Sequence, residues 1–325
     1  MSLYKYGRMV TIMTVALLNI LIFPGFLFLS VYGLLVEFVD RKLYARFQNR
    51  KGPPWFQPLA DFIKLISKET IIPCEADKTI FKLLPMFALA SVCTAFLYIP
   101  VWGLKSIYPF DGDVIVVLYL LTIPTITFFL AGWYSTSLYA TIGSVRALTQ
   151  LFAYEVPLFM SILGPALLAN TWSISGIAAF YYAHPLYSLL NIPGFAVAII
   201  AAQGKLERVP FDIPEAETEI VAGTFVEYSG KLLALFRMSI DIEMVVISAL
   251  LAAVFLPVFA AASPILGFVI FIIKTMFIVF LLALFRSVLA RLRMEQMVNF
   301  CWRYLTPVAL VQILIDLLLK GVLVK

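Results

Sequence analysis

The residues of this chain that could do chemistry are acids and bases placed inside or beside long apolar stretches. Glu155 lies within LFAYEVPLF, Lys274 within VIFIIKTMF, and Glu37 closes the first apolar stretch. Asp241 and Glu243 follow in RMSIDIEMVV. A charge at bilayer depth costs about 2.5–3.5 kcal/mol on insertion scales, so such groups usually face protein or water and mark ion pathways. These residues therefore predict the transfer of protons or other ions.

Structural explanations compete with this prediction at several positions. Glu37 could extend to the membrane interface beside Arg41, and Lys274 could form a buried pair with a carboxylate. Asp316, in the last apolar stretch, lies near its outer end and is expected to be solvated. For Glu155 we favour the functional role.

The densest group of acidic residues lies in GKLERVPFDIPEAETEIVAGTFVEYSG, over 204–230. On a helix, Glu215 and Glu219 would be four residues apart and share a face. Carboxylates held that close raise one another's pKa, so some could exchange protons near neutrality. The alternative is a solvated helix N-terminus, where the helix dipole favours acidic residues.

The chain offers few groups that could hold a redox centre. Its three cysteines, Cys74, Cys93 and Cys301, are isolated, and His184 is its only histidine. None of them has the spacing of paired metal ligands. We therefore expect no cofactor and no metal site in this chain.

The elements that position these residues are predicted to be membrane-spanning helices. Of 325 residues, 62% are hydrophobic and 13% charged, whereas a soluble domain is about one quarter charged. The apolar runs are long enough to cross the ~30 Å hydrocarbon core as helices, and they lack the alternation of a membrane barrel. The expected fold class is all-α, a polytopic integral membrane protein with about eight transmembrane helices in one domain, 1–325. The expected spans are 10–36, 80–103, 114–139, 148–170, 190–204, 237–259, 265–288 and 304–323.

Two polar excursions, 40–79 and 204–236, interrupt these spans. In the first, Pro53-Pro54 is followed by an amphipathic pattern typical of a helix in the membrane interface. The connections on this side of the membrane hold most of the lysines and arginines. The positive-inside rule therefore places both excursions in the cytoplasm and both termini outside the cell membrane.

Several stretches carry a resemblance to a known family. ERVPFDIPEAETE, over 207–219 and followed by VAGTFVEYSG, resembles the signature loop of the quinone-site membrane subunit of respiratory complex I (subunit 1, or NuoH). That family includes the matching subunits of energy-converting membrane-bound hydrogenases. The supporting stretches are VEFVDRKLYARFQNRKGP, QPLADFIKLISKE, VRALTQLFAYEVPL and LRMEQMVNFCWRYLTP. The resemblance covers most of the chain.

Departures from the complex I pattern favour the hydrogenase-type relatives. The segment from Gly52 to Pro58 is compact, and ALFFMAEY of complex I reads ALFRMSIDIEM here, which puts Ile240 near the family's Glu. The resemblance then implies a non-redox connector subunit in an oxidoreductase complex, namely a ferredoxin-driven, ion-translocating membrane-bound hydrogenase. The equivalent subunit of its sulfane sulfur reductase sibling, the quinone-binding NuoH subunit of complex I, and a stand-alone secondary transporter remain as alternatives.

The resemblance also implies residue roles and partners. The ion or proton path would comprise Glu37, Glu155, Glu215, Glu217, Glu219, Glu227, Asp241, Glu243 and Lys274. Docking of a peripheral arm, or a quinone-like cavity, would involve Arg41, Arg46, Arg50, Lys51, Asp61, Lys64, Arg208 and Asp212. The implied partners are hydrogenase-like small and large subunits with iron–sulfur clusters and nickel–iron, antiporter-like membrane subunits, the lipid bilayer, and ferredoxin as electron donor to the complex; nucleic acid is not among them.

Overall fold

A computed structural model describes residues 13–259 and 263–323 of the chain. All regular elements in these two ranges are helices. Eight helical segments within them are long and apolar enough to cross a membrane: Met13–Phe47, Lys78–Phe96, Asp113–Tyr134, Leu138–Ala169, Pro185–Lys205, Gly230–Phe255, Pro264–Val288 and Met294–Gly321. The prediction of an all-α polytopic membrane protein with about eight spans is confirmed. The predicted placement of the termini concerns 1–12 and 324–325, outside the described residues.

The helices are numbered in chain order. They are α1 (13–21), α2 (Phe26–Phe47), α3 (Gln57–Ser67), α4 (Lys78–Phe96), α5 (Asp113–Tyr134), α6 (Leu138–Ala169), α7 (Ile174–Ala183), α8 (Pro185–Ser188), α9 (Ile192–Lys205), α10 (Glu217–Ile220), α11 (Gly230–Phe255), α12 (Pro264–Val288), α13 (Met294–Phe300) and α14 (Thr306–Leu323). Short 3₁₀ turns at Leu189–Asn191 and Gly223–Phe225 lie before α9 and α11.

Helix α11 is the centre of the bundle. In its most apolar window 89% of the residues are buried, against 61% or less in the other spans. A helix that is apolar on all sides belongs inside a protein, and α11 packs against α2, α4 and α12. Its two acids, Asp241 and Glu243, are therefore held within the bundle and away from lipid.

Several spans have different limits from those predicted; α6 begins at Leu138 instead of residue 148, and the last span begins at Met294 instead of residue 304. Helix α2 continues to Phe47 instead of ending at residue 36, and α11 begins at Gly230 instead of residue 237. Hydropathy ends a span at the first charges, but here those charges lie on continuous helices and form ion pairs with neighbouring elements. These ion pairs offset part of the free energy that it costs to hold the charges at membrane depth.

The predicted solvation of Asp316 is wrong. Its side chain is fully buried, and its carboxylate accepts hydrogen bonds of 3.2 Å from Gln312 on the preceding turn of α14. The close packing of α14 on α6 explains the burial, because a Cβ atom at Gly164 would lie 2.8 Å from an Asp316 carboxylate oxygen.

The amphipathic helix predicted after Pro53-Pro54 is present as α3. Its Phe62 packs against the core, whereas Leu59, Ile63 and Ile66 remain exposed. Exposed apolar side chains along one face are typical of a helix that lies in a membrane interface.

The 3₁₀ turn of the acidic stretch rests directly on α6 at Gly143. A Cβ atom at this position would lie 2.7 Å from backbone atoms of Gly223 and Thr224, which cannot rotate away. Gly143→Ala is therefore expected to displace the turn and to lower the free energy of unfolding by about 1–3 kcal/mol. Thermal unfolding in detergent measures the loss.

Gly321→Ala is the matched control, because a Cβ atom at Gly321 meets nothing within 4 Å. Equal melting temperatures for the two variants would contradict the predicted contact.

Candidate functional site

A cavity of about 640 Å³ opens where α2 and α3 meet the end of α9, the first half of α11 and the loop 206–216. We call it the charged cavity. Fifteen of its lining side chains are acids or bases: Glu37, Arg41, Asp61, Lys64, Lys68, Lys205, Glu207, Arg208, Asp212, Glu215, Arg237, Asp241, Glu243, Arg286 and Arg291. Acids and bases therefore face one another around a single space, where their charges interact.

Arg208 ties the loop to the bundle. Its guanidinium lies 2.6 Å from a carboxylate oxygen of Asp40 and 3.1 Å from one of Glu37, both on α2. Asp40 is fully buried and also pairs with Arg286 of α12 at 2.9 Å. Burial alone would lower the pKa of Arg208, but the Asp40 and Glu37 carboxylates raise it above its ordinary value. The arginine is therefore a permanent positive charge between two buried acids.

Arg41 holds the amphipathic helix in place. It pairs with Glu37 on its own helix at 2.5 Å and with Asp61 of α3 at 2.8 Å. The second oxygen of Asp61 accepts a hydrogen bond of 2.9 Å from Gln57. Glu37 thus shares its two oxygens between Arg41 and Arg208, so α2, α3 and the loop meet at one carboxylate.

Lys205 and Glu243 form the most deeply buried ion pair of the site. Their charged atoms lie 2.6 Å apart, and the side chains are only 2% and 1% exposed. The Lys205 ammonium also donates a hydrogen bond of 2.8 Å to the hydroxyl of Thr125 on α5. Such a pair is retained at a desolvation cost, and removal of one partner would leave an uncompensated buried charge.

Glu207 of the loop has a raised pKa. Burial, and then the negative charges of Glu215 and Glu243, raise its pKa to about 8. Its backbone has a φ of 50°, in the left-handed region that non-glycine residues rarely occupy. Such strain at a cavity wall is typical of functional positions.

Comparison with known proteins shows the family to which this chain belongs. Residues 11–317 match the NADH dehydrogenase family. The chain belongs to this family. It is 36% identical to the NuoH-type subunit of the NADH-quinone oxidoreductase of Dehalococcoides mccartyi over 306 residues, which cover 92% of this chain and 85% of that protein. It is 35% identical to NADH-quinone oxidoreductase subunit 8 of Thermus thermophilus, with coverage of 89% and 84%.

A solved structure has the same fold. It is a chain of the membrane-bound sulfane sulfur reductase, an archaeal respiratory membrane complex, with a TM-score of 0.80 and 25% sequence identity. The match covers 89% of this chain and 96% of that chain. The resemblance to the NuoH family is confirmed: the chain is a NuoH-like, multi-pass membrane subunit of a multi-subunit respiratory complex.

The charged cavity brings together nine of the residues singled out from the sequence of this NuoH-family chain. They are Glu37, Arg41, Asp61, Lys64, Arg208, Asp212, Glu215, Asp241 and Glu243. Most of the others lie apart from it. Arg46, Arg50 and Lys51 are exposed beyond the cavity, and Glu155 and Glu227 do not line it. Lys274 borders a separate small hollow between α11 and α12; the side chain of Glu217 is outside the described part of the structure.

The predicted shared helix face of Glu215 and Glu219 is wrong. Helix α10 begins only at Glu217, so Glu215 lies before it and the two acids share no helix face. Glu215 pairs with Arg237 at 3.2 Å, and Glu219 pairs with Arg146 on α6 at 2.6 Å. The hydrogen bond from Arg146 lowers the pKa of exposed Glu219. The two acids therefore pair with separate bases on different helices.

Six charged residues of the cavity were not singled out from the sequence: Lys68, Lys205, Glu207, Arg237, Arg286 and Arg291. Asp40, which pairs with Arg208 and Arg286 beside the cavity, was not singled out either. Asp40 could have been found, since it lies three residues after Glu37 and therefore on the same helix face. Glu207 begins the stretch that carries the resemblance, and Lys205 lies two residues before it at the end of α9. No local signal points to Arg286, which reaches Asp40 across 246 positions of sequence.

Glu207→Gln is expected to flatten the pH dependence of stability. The pKa of Glu207 rises from about 4.5 to about 8 on folding, so the folded state holds a proton that the unfolded state releases. Wild-type stability therefore falls as pH rises from about 4.5 to 8, at about 1.4 kcal/mol for each unit of pKa shift. Glutamine carries no such proton. The variant should melt above wild type at pH 9 and close to it at pH 5.

Glu75→Gln, at an exposed glutamate, is the control and should differ equally from wild type at both pH values. If Glu207→Gln behaves like this control, Glu207 is not held protonated.

Proposed function

We propose that this chain is the non-redox connector subunit of a ferredoxin-driven, ion-translocating, membrane-bound hydrogenase-type complex. It docks a peripheral redox arm and couples electron transfer to H⁺ or Na⁺ transport through its carboxylates. The observation that carries the proposal is the charged cavity, in which loop 206–216, α3 and the central helix α11 meet.

Shared carboxylates give this cavity a way to respond to charge. Asp40 is held between Arg208 and Arg286, and Glu37 between Arg41 and Arg208. A negative charge that enters the cavity competes with these acids for the same arginines. Because interactions in a low-dielectric site are strong, that competition would move protons or ions on the neighbouring carboxylates.

The surface beside the cavity suits an acidic or polar partner. Arg46, Arg50 and Lys51 are exposed at the end of α2 and in the turn that follows it. Exposed positive charges of this kind accelerate and orient association with a partner of opposite charge. The peripheral arm would carry the iron–sulfur clusters and nickel–iron, and antiporter-like subunits would bind elsewhere on the bundle.

Quinone reduction is the second candidate. It is supported by the relatives at 35–36% identity, whose names are those of NADH-quinone oxidoreductase subunits. The fold neighbour supports a third arrangement, as the equivalent subunit of a sulfane sulfur reductase. The departures at Gly52–Pro58 and at Ile240 lead us to prefer the hydrogenase-type complex.

Isolation of the intact complex through an affinity tag on this chain tests the proposal. We expect a nickel-containing large subunit among the co-purifying proteins, and ferredoxin-dependent hydrogen evolution coupled to ion uptake in vesicles. Reduction of a quinone analogue, inhibited competitively at this subunit, would replace the proposal with the quinone candidate. Polysulfide reduction without hydrogen evolution would replace it with the sulfane sulfur reductase. Purification of the chain alone, with transport activity, would make it a secondary transporter.

A further inference from the structure

Asp316 is a fully buried acid that has no basic side chain beside it. It lies on α14, within the last membrane span. In the described residues no ion pair within 4.0 Å involves Asp316. Lys320, four residues further along α14, donates its hydrogen bond to Asn170 instead. A carboxylate at membrane depth without a compensating charge is costly, so it binds a proton or a cation.

The polar groups around Asp316 contain more acceptors than donors. The amide nitrogen of Gln312 lies 3.2 Å from each carboxylate oxygen of Asp316 and 3.2 Å from the Oδ1 atom of Asn191. These distances are at the long end for N–H···O hydrogen bonds, and an amide nitrogen has two hydrogens for these three oxygens. The Oε1 atom of Gln312 is also buried and has no hydrogen-bond partner in the described residues. An unpartnered oxygen beside an unpaired carboxylate points to a positively charged ligand.

Glycines on the neighbouring helices leave room for this cluster. A Cβ atom at Gly164 of α6 would lie 2.8 Å from a carboxylate oxygen of Asp316. A Cβ atom at Gly194 of α9 would lie 3.5 Å from Cγ of Gln312. The three helices therefore meet around the side chains of Gln312 and Asp316, which are one helical turn apart on α14.

A backbone oxygen of α6 lies at the same junction. The Cβ atom of an alanine at position 194 would lie 3.5 Å from the carbonyl oxygen of Ser161. That carbonyl lacks the usual helical donor four residues further on, because Pro165 has no N–H group. Carbonyls released from helical hydrogen bonds coordinate Na⁺ in membrane transporters.

We propose that Asp316, Gln312 and Asn191 bind one alkali-metal cation at the junction of α6, α9 and α14. Such a cation contacts several oxygens at once, including the unpartnered Oε1 atom of Gln312, whereas a proton on Asp316 satisfies a single acceptor. One carboxylate neutralises one positive charge, whereas a divalent ion would keep a net charge at membrane depth. Oxygen ligands suffice for this ion, so the site needs none of the cysteines or His184.

The site is separate from the charged cavity. None of its three side chains lines that cavity. The cation would join α14 to α6 and to the start of α9, so its binding stabilises the bundle. The inference therefore does not depend on the coupling function proposed above, and each can fail without the other.

Thermal unfolding of the full chain in detergent tests the site. A ligand that binds only the folded state raises the melting temperature. Wild type should melt about 2 °C or more higher in NaCl or KCl than in choline chloride of the same ionic strength. Asp316→Asn should remove this difference, and Asp111→Asn, at an exposed acid, should keep it. Equal melting of wild type in all three salts would overturn the proposal.

Equilibrium binding of radioactive Na⁺ measures the site directly, even where a variant is less stable. Wild type should bind Na⁺ in competition with KCl, and Asp316→Asn should lose that binding. Gly164→Ala should weaken the affinity by about tenfold or more, because its methyl group displaces the Asp316 carboxylate. Gly321→Ala is the matched control, since a Cβ atom there meets nothing within 4 Å. Na⁺ binding that Asp316→Asn retains in full would place the ion elsewhere and refute the site.

Discussion

Arg208→Gln is expected to destabilise the subunit by about 3–5 kcal/mol, the cost of breaking a buried ion pair by removal of one partner. Arg208 is 10% exposed, and its guanidinium faces both Glu37 and Asp40. Without it, the two acids of α2 keep only Arg41 and Arg286 as cations. The loop 206–216 would lose its main attachment to α2. Thermal unfolding of the subunit in detergent and the yield of assembled complex measure the effect.

Two further variants test whether loss of the buried ion pairs of Arg208 causes this destabilisation. Arg208→Lys should fall between wild type and Arg208→Gln, because an ammonium is a point charge that cannot reproduce the fork of a guanidinium. Arg50→Gln, at an exposed arginine outside the cavity, should stay within about 0.5 kcal/mol of wild type. If Arg208→Gln melts like Arg50→Gln, the buried charge cluster does not hold the loop.

The spans and the amphipathic helix could be predicted because each depends on a local pattern. A run of apolar residues matches the thickness of the bilayer, and α3 shows the helical spacing of Leu59, Phe62, Ile63 and Ile66. Their ends were less well placed. Helix α2 carries Glu37, Asp40 and Arg41 without interruption, since partners from α3, the loop after α9 and α12 neutralise these charges.

The membership of the charged cavity depends on packing and could be predicted only in part. Intramembrane charge alone singled out Glu37, Asp241 and Glu243, which do meet there. It equally singled out Glu155 and Lys274, which do not. Hydropathy and spacing contain no information about which helices are neighbours, and the cavity joins α2 with α9, α11 and α12.

The burial of Asp316 also depends on helix packing that could not be predicted from the sequence. Its position near the end of α14 suggested solvent, but α6 covers it at Gly164. Glu215 and Glu219 were expected to act as a pair because they are four residues apart, yet each has a different arginine. The partner of an acid can therefore be a base on an element distant in sequence, and the charge of that base affects the acid directly.

Asp241 differs from the other acids of the cavity. Glu37, Asp40 and Glu243 form ion pairs, whereas no ion pair within 4.0 Å involves Asp241 in the described residues. It nonetheless lines the cavity and interacts electrostatically with Glu37, Arg208 and Arg41. A carboxyl group that interacts with several charges at a distance, but forms an ion pair with none of them, is suited to accept and release an ion.

Asp241→Asn should therefore reduce coupled ion transport by about tenfold or more, equivalent to at least about 1.4 kcal/mol of added barrier. The loss of stability should be smaller than for Arg208→Gln, because the amide keeps the shape of the carboxyl and no ion pair within 4.0 Å is broken. Vesicles containing the intact complex provide both readouts, ions transported per electron and the temperature of unfolding.

Glu219→Gln is the informative comparison, because the sequence placed Glu219 in the same ion path. Glu219 is exposed and pairs with Arg146 outside the cavity. Its replacement should loosen the contact between the acidic stretch and α6 but leave transport near wild type. The reverse pattern, with Asp241→Asn active and Glu219→Gln uncoupled, would move the ion path from the cavity to the surface of the loop. The charged cavity would then serve only to attach that loop to the bundle.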